Sequence, residues 1–214
     1  MKKFLLFALF AGASLNCLSQ VSLGITTAGV LPLKKYGDKL PNPSYSYKFG
    51  LESIFKLSEC VNIRTGVEFN SYIFIQKETF TNQAGNVESN VDQYFISNYI
   101  GIPVGLRYVF KGDKIKPFID GSIMFSKNIS NSTKIHDDRY SMYEQYTPEA
   151  TPFITSGTLG LGLLMNPTPK TYLTFMMVYT SQFQYIYDVS NSNQQMTEIR
   201  YPGANAQLSF GFEL

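Results

Sequence analysis

The sequence predicts an all-β fold, an eight-stranded antiparallel up-and-down transmembrane β-barrel, and three observations carry that prediction. Long stretches alternate apolar with polar or small residues at a period of two, the signature of strands with two different faces. The links between these stretches alternate long and short, as in outer-membrane barrels, whose turns gather at one end and loops at the other. Charged residues make up only 16% of the 214-residue chain and aromatics 15%, with 15 Tyr, 17 Phe and no Trp. That is well below the roughly 25% charge of a water-soluble domain.

The chain opens with a targeting signature. Lys2 and Lys3 precede an apolar run, Phe4–Ala13, that is too short to cross a bilayer as a helix. Cys17-Leu18-Ser19 places cleavage after Ser19, giving a signal peptide at 1–19 and a barrel domain at 20–214. A lipoprotein reading of Cys17 meets Asn16 and Ser14 where a small residue and Leu are needed. Cleavage leaves 16 basic against 16 acidic residues and Cys60 as the single cysteine, so neither nucleic-acid binding nor an internal disulfide is expected. No later apolar run reaches membrane-helix length, so a membrane-spanning chain must close a sheet.

The first strand is expected over Val21–Val30, with Val21, Leu23 and Ile25 facing one way, and Leu31–Pro43 follows as a Pro-rich loop. Ser44–Leu57 is the second, with Tyr45, Tyr47, Phe49, Leu51, Phe55 and Leu57 opposite Ser46, Lys48, Gly50, Glu52 and Lys56. After a tight turn at Ser58–Cys60, Val61–Gln76 sets Val61, Ile63, Val67, Phe69, Ile73 and Ile75 against Asn62, Arg64, Gly66, Glu68 and Asn70. Lys77–Gln93 reads as a polar loop, and the fourth strand begins near Tyr94.

The strongest hairpin is Asn98–Ser126. Ile100, Ile102, Val104, Leu106, Tyr108 and Phe110 share a face, and Lys111–Lys114 turns the chain into a strand ending near Asn128. Pro103 lies mid-strand without an amide donor, and a kink relieved by Gly101 and Gly105 is expected rather than a change of register. Ile129–Pro152 is the longest expected loop. Phe153–Asn166 and Thr171–Tyr185 flank a turn at Pro167–Lys170, Ile186–Tyr201 is a loop, and Pro202–Leu214 closes the chain.

The apolar phase is placed outward. The opposite phase is rich in Gly and Ser, and its charges balance: Lys48, Lys56, Arg64, Arg107 and Lys116 against Glu52, Glu68, Asp120 and Glu213. Such pairing suits a narrow lumen, where an isolated ion is costly. Aromatics cluster at both strand ends (Tyr45, Tyr47, Tyr94, Phe183 and Tyr185; Tyr108, Phe110, Phe210 and Phe212), as interfacial girdles do. A lipocalin-like soluble barrel shares the period but expects an early Gly-x-Trp.

The run Tyr99-Ile100-Gly101-Ile102-Pro103-Val104-Gly105-Leu106-Arg107-Tyr108, a basic turn, and Lys116-Pro117-Phe118-Ile119-Asp120-Gly121 resemble the PorT-like outer-membrane β-barrel proteins of Bacteroidetes. The motif positions are Tyr99, Ile102, Pro103, Leu106, Arg107, Tyr108, Lys116, Pro117, Phe118 and Gly121. Gly101 stands where many members have Glu, and Leu214 where an aromatic is commoner. The resemblance implies an outer-membrane barrel with periplasmic termini. It also points to envelope or secretion-machinery proteins as partners.

Catalytic candidates are sparse. His136-Asp137-Asp138, with Ser130, Ser132 and Ser141 nearby, could serve a lipid A-modifying enzyme or hold a divalent cation. A solvated loop is the simpler expectation. Asp188–Asn191 lacks the Gly and Glu of a calcium loop, and Gly160-Leu161-Gly162 lacks the Lys-Ser/Thr of a phosphate loop. Eight strands leave a lumen only wide enough for side chains, which favours a salt-bridge network over a solute channel. The expectation is therefore a non-enzymatic, monomeric barrel without cofactor or metal, in contact with outer-membrane lipid and acting through its loops.

Overall fold

The computed structural model describes residues 21–33, 42–81, 87–136, 150–184, 186–189 and 197–213. The proposed signal at 1–19, Asp137, Asp138, Ser141, Ser190, Asn191, Tyr185 and Leu214 lie outside the described residues.

Eight strands form the wall: β1 (Val21–Pro32), β2 (Ser46–Lys56), β3 (Val61–Thr81), β4 (Val87–Val109), β5 (Ile115–His136), β6 (Phe153–Thr168), β7 (Thr171–Gln182) and β8 (Gly203–Glu213). Each pairs antiparallel with its sequence neighbour, and β8 returns to β1 from Ser22 opposite Glu213 to Pro32 opposite Gly203. The sheet is thus a closed eight-stranded antiparallel barrel. Among the described residues, no helix is long and apolar enough to cross a membrane.

The alternation seen in the sequence decides the two faces. Leu23, Ile25, Phe49, Leu51, Ile102, Val104, Leu106, Ile123, Phe125, Leu159, Leu161, Met177, Leu208 and Phe210 all lie on the exposed outer surface. Ile25 and Leu51 each leave 64% of their area uncovered. The other phase (Lys48, Glu52, Arg64, Glu68, Arg107, Asp120, Ser122, Gln207 and Ser209) is buried inside. A soluble domain has the reverse distribution; an exposed apolar belt around a polar interior suits a barrel in hydrocarbon.

The short turns form where expected. Val61 donates its amide to Ser58 Oγ at 3.1 Å, and Leu57 and Ser58 donate to the Val61 carbonyl. At the β6–β7 turn the Thr168 and Thr171 hydroxyls meet at 2.8 Å. Pro103 interrupts pairing with β3 opposite Gly66 and Val67. The register nevertheless resumes unchanged, Thr65 opposite Val104 and Glu68 opposite Gly101.

Four expected boundaries are corrected. β3 runs to Thr81 and β4 starts at Val87, so most of Lys77–Gln93 is paired strand rather than loop. β5 continues to His136, absorbing the first third of Ile129–Pro152. β7 stops at Gln182, and the loop after it holds a small hairpin, Tyr187–Val189 with Thr197–Ile199. Asn42–Pro43, expected as loop, pairs with Phe74 and Ile75 on β3. The reason is common to the two long extensions. In both, backbone hydrogen bonds hold the ladder where the apolar period of the sequence is lost. Where β5 enters this region, Ile129 is an extra residue between the pairs Tyr99–Asn128 and Asn98–Ser130, a bulge that adjusts facing.

Candidate functional site

The lumen is filled in tiers. In the middle, β2 and β3 contribute Lys48, Glu52, Arg64 and Glu68, β4 contributes Arg107 and β5 contributes Asp120, three cations and three carboxylates. Asp120 Oδ2 lies 3.0 Å from Arg107 Nε and 3.3 Å from Arg64 Nε. Glu68 is 3.5 Å from Arg64 Nη1 and 3.6 Å from Lys48 Nζ. Glu52 lies 4.0 Å from both arginines and accepts a 3.1 Å hydrogen bond from the Tyr172 hydroxyl. Arg64 also donates to Ser122 Oγ at 3.2 Å, which contacts Thr158 Oγ1 at 2.6 Å. The network ties strands β2 to β7 across the lumen. Its balance meets the cost of burying ions, which a lone charge could not.

The small residues of the inner phase have a steric role here. A Cβ at Gly24 or Gly211 would run into the Tyr172 ring, which crosses the lumen to reach Glu52. One wall beside the network is apolar: Val109, Phe118, Met176 and Val178 cluster, and the Arg107 guanidinium lies 4.3 Å from the Phe118 ring centroid.

Of the nine charges expected to share a lumen network, Lys56, Lys116 and Glu213 do not join the central set. They line a cavity of about 390 Å³ at the turn-end mouth, together with Asn62, Arg107 and Cys60. They sit nearer the strand ends, where the barrel opens to water. The family-motif positions divide by face: Ile102, Leu106, Tyr108 and Pro117 are exposed, whereas Tyr99, Pro103, Arg107 and Phe118 are buried.

The loop-end tier was not anticipated. Val30, Tyr72, Phe74, Phe95, Tyr99, Ile154, Ile186 and Tyr201 form a buried cluster that plugs that end. Tyr72 meets Tyr99 and Tyr201 at ring-centroid distances of 5.6 and 5.3 Å, and Phe74 meets Tyr201 edge-on. The hydroxyls anchor the plug. Tyr99 donates to the Thr151 carbonyl at 2.9 Å, and Tyr201 donates to the Ser44 and Val30 carbonyls. A signal was available: Tyr72 and Phe74 share the phase of Arg64 and Glu68, and Phe95 and Tyr99 that of Arg107. Bulky rings in a polar phase have to lie inside. Between plug and network lies a small cavity of about 20 Å³.

The backbone of His136 pairs with Asp92 at the tip of β5, and among the described residues no group of three His, Cys, Asp or Glu is placed to hold a metal. Ser130 accepts a hydrogen bond from Asn98 at 2.9 Å and Ser132 pairs through its backbone with Ile96.

No protein-family model and no curated protein matches the chain. Solved structures do. OprG of Pseudomonas aeruginosa, an outer membrane protein, aligns over 91% of this chain and 95% of its own, with 10% identity and a TM-score of 0.51. The N-terminal β-barrel domain of OprF from the same organism (13% identity, 90% and 97% covered, TM-score 0.43) and Neisserial surface protein A (12%, 91% and 95%, 0.45) also align. The likeness to OprG is one of fold: the chain has the closed barrel of outer-membrane proteins.

Proposed function

We propose that this chain is a non-enzymatic outer-membrane protein that acts through its loop-end surface, as a binding protein or an accessory to an envelope assembly. The observation that carries the reading is the filled lumen: an aromatic plug above a neutral salt-bridge network leaves the barrel as a platform rather than a conduit. The three tall strands β3, β4 and β5, at 21, 23 and 22 residues, raise one wall above strands of 11 to 16, a projection suited to recognition. The resemblance of Tyr99–Gly121 to PorT-like proteins supports an envelope setting, and the up-and-down order of an even number of strands supports both termini lying in the periplasm.

Two measurements test the reading. An epitope inserted within residues 82–86 should be reachable by antibody on intact cells, and burial of that epitope until lysis would refute it. In planar bilayers the purified barrel is expected to give no defined conductance steps, whereas regular steps would support a solute channel instead. The enzymatic alternative has a direct test of its own: His136→Ala should leave the lipid A profile by mass spectrometry unchanged, and a changed profile would favour it.

A further inference from the structure

We propose that the turn-end mouth of the barrel is a binding site for a small phosphate-type oxyanion. The short turns at this end leave an open cup of about 390 Å³, and its lining is more basic than the lumen it leads to. Arg107, Lys56, Lys111 and Lys116 border it, against only Glu59 and Glu213. At its floor Arg107 is 1% exposed. Its Nε is committed to Asp120 at 3.0 Å, whereas Nη1 and Nη2, the latter 4.0 Å from Glu52, have no hydrogen-bond partner among the described residues. Buried guanidinium N–H groups without an acceptor, on a residue that lines a basic cup, are donors available to an anion.

The chemical class follows from where the donors stand. Lys56, Asn62, Arg107 and Lys116 come from four successive strands, β2 to β5, and Lys111 from the turn between the last two. Donors spread over several strands suit the four oxygens of a tetrahedral oxyanion better than the two coplanar oxygens of a carboxylate. The apolar part of the lining, Ile54, Val109, Phe110 and Leu164, leaves room beside the anion for an organic substituent.

Calorimetric titration of the purified full chain in detergent with sodium phosphate, against sodium chloride at matched ionic strength, tests this. A saturable heat specific to phosphate is expected. Lys116→Gln should weaken it about tenfold by removing one charge-assisted contact, and Lys111→Gln with Lys116→Gln should abolish it. Lys127→Gln, on the outer wall, should leave it unchanged. These lysines are not part of the central network, so the barrel of each variant should retain its folded gel mobility. A phosphate heat no larger than that of chloride, or one equal in the double variant and the wild type, overturns the proposal.

Discussion

Asp120 is the residue on which the interior depends most. It lies between Arg64 and Arg107, and both guanidiniums are buried, so removing its charge leaves the network one cation in excess in a space that cannot solvate it. Asp120→Leu is expected to lower the unfolding free energy by about 3–5 kcal/mol, the cost typical of an uncompensated buried ion. Adding Arg107→Met to the same chain restores neutrality and should recover part of that loss. Urea titration in lipid vesicles reads both values, and equal stabilities for the single and double variants would contradict the network's role. Tyr201 shows the same logic with uncharged groups. Its ring joins Tyr72 and Phe74 while its hydroxyl meets two backbone carbonyls, so a polar atom deep in the plug is satisfied.

Among elements, β4 combines the clearest sequence pattern with the clearest local exception. Pro103 cannot donate across the ladder, and pairing with β3 lapses at Gly66 and Val67, yet Met124 still faces it on β5 and the register is kept. Pro103→Ala restores a donor. Amide exchange around Gly66–Val67 should slow, with a gain of roughly 0.5–1.5 kcal/mol for the added hydrogen bond; unchanged exchange would show that the gap has another cause. The β3–β4 hairpin above the belt carries a water-facing pair, Lys77 with Asp92 at 3.7 Å. Replacing residues 79–90 with a two-residue Asn-Gly turn should therefore leave a folded, heat-modifiable barrel, whereas loss of the folded gel form would mean that the hairpin is part of the barrel's folding unit. This hairpin also marks where sequence reading stopped working. From Ile100 to Phe110 hydrocarbon on one side and protein on the other impose a strict period of two. From Lys77 to Gln93 that period is lost, and a strand there looks like a loop. The central ion network was legible because Arg64, Glu68, Arg107 and Asp120 share the inner phase. Which charges meet across the lumen was not, since strand tilt and register, rather than spacing, set the turn-end positions of Lys56, Lys116 and Glu213 apart.

For the whole molecule, everything rests on orientation: apolar side chains outward and ions within. Ile100–Phe110 places six outward apolar residues over eleven positions, close to the roughly 9–11 residues with which a tilted strand crosses a bilayer. Below that belt lies the basic turn-end cup, and above it lie the aromatic plug and the tall β3–β4–β5 wall. The molecule is accordingly a closed barrel with two different ends, and both of the binding roles proposed above fall at the ends. The orientation is tested most directly by the folding free energy of Val104→Arg in lipid vesicles. Val104 faces outward near the middle of the belt with half its area exposed. In hydrocarbon the substitution should cost about 2–4 kcal/mol. A change within about 0.5 kcal/mol of zero, as expected for a water-exposed surface position, would contradict the account.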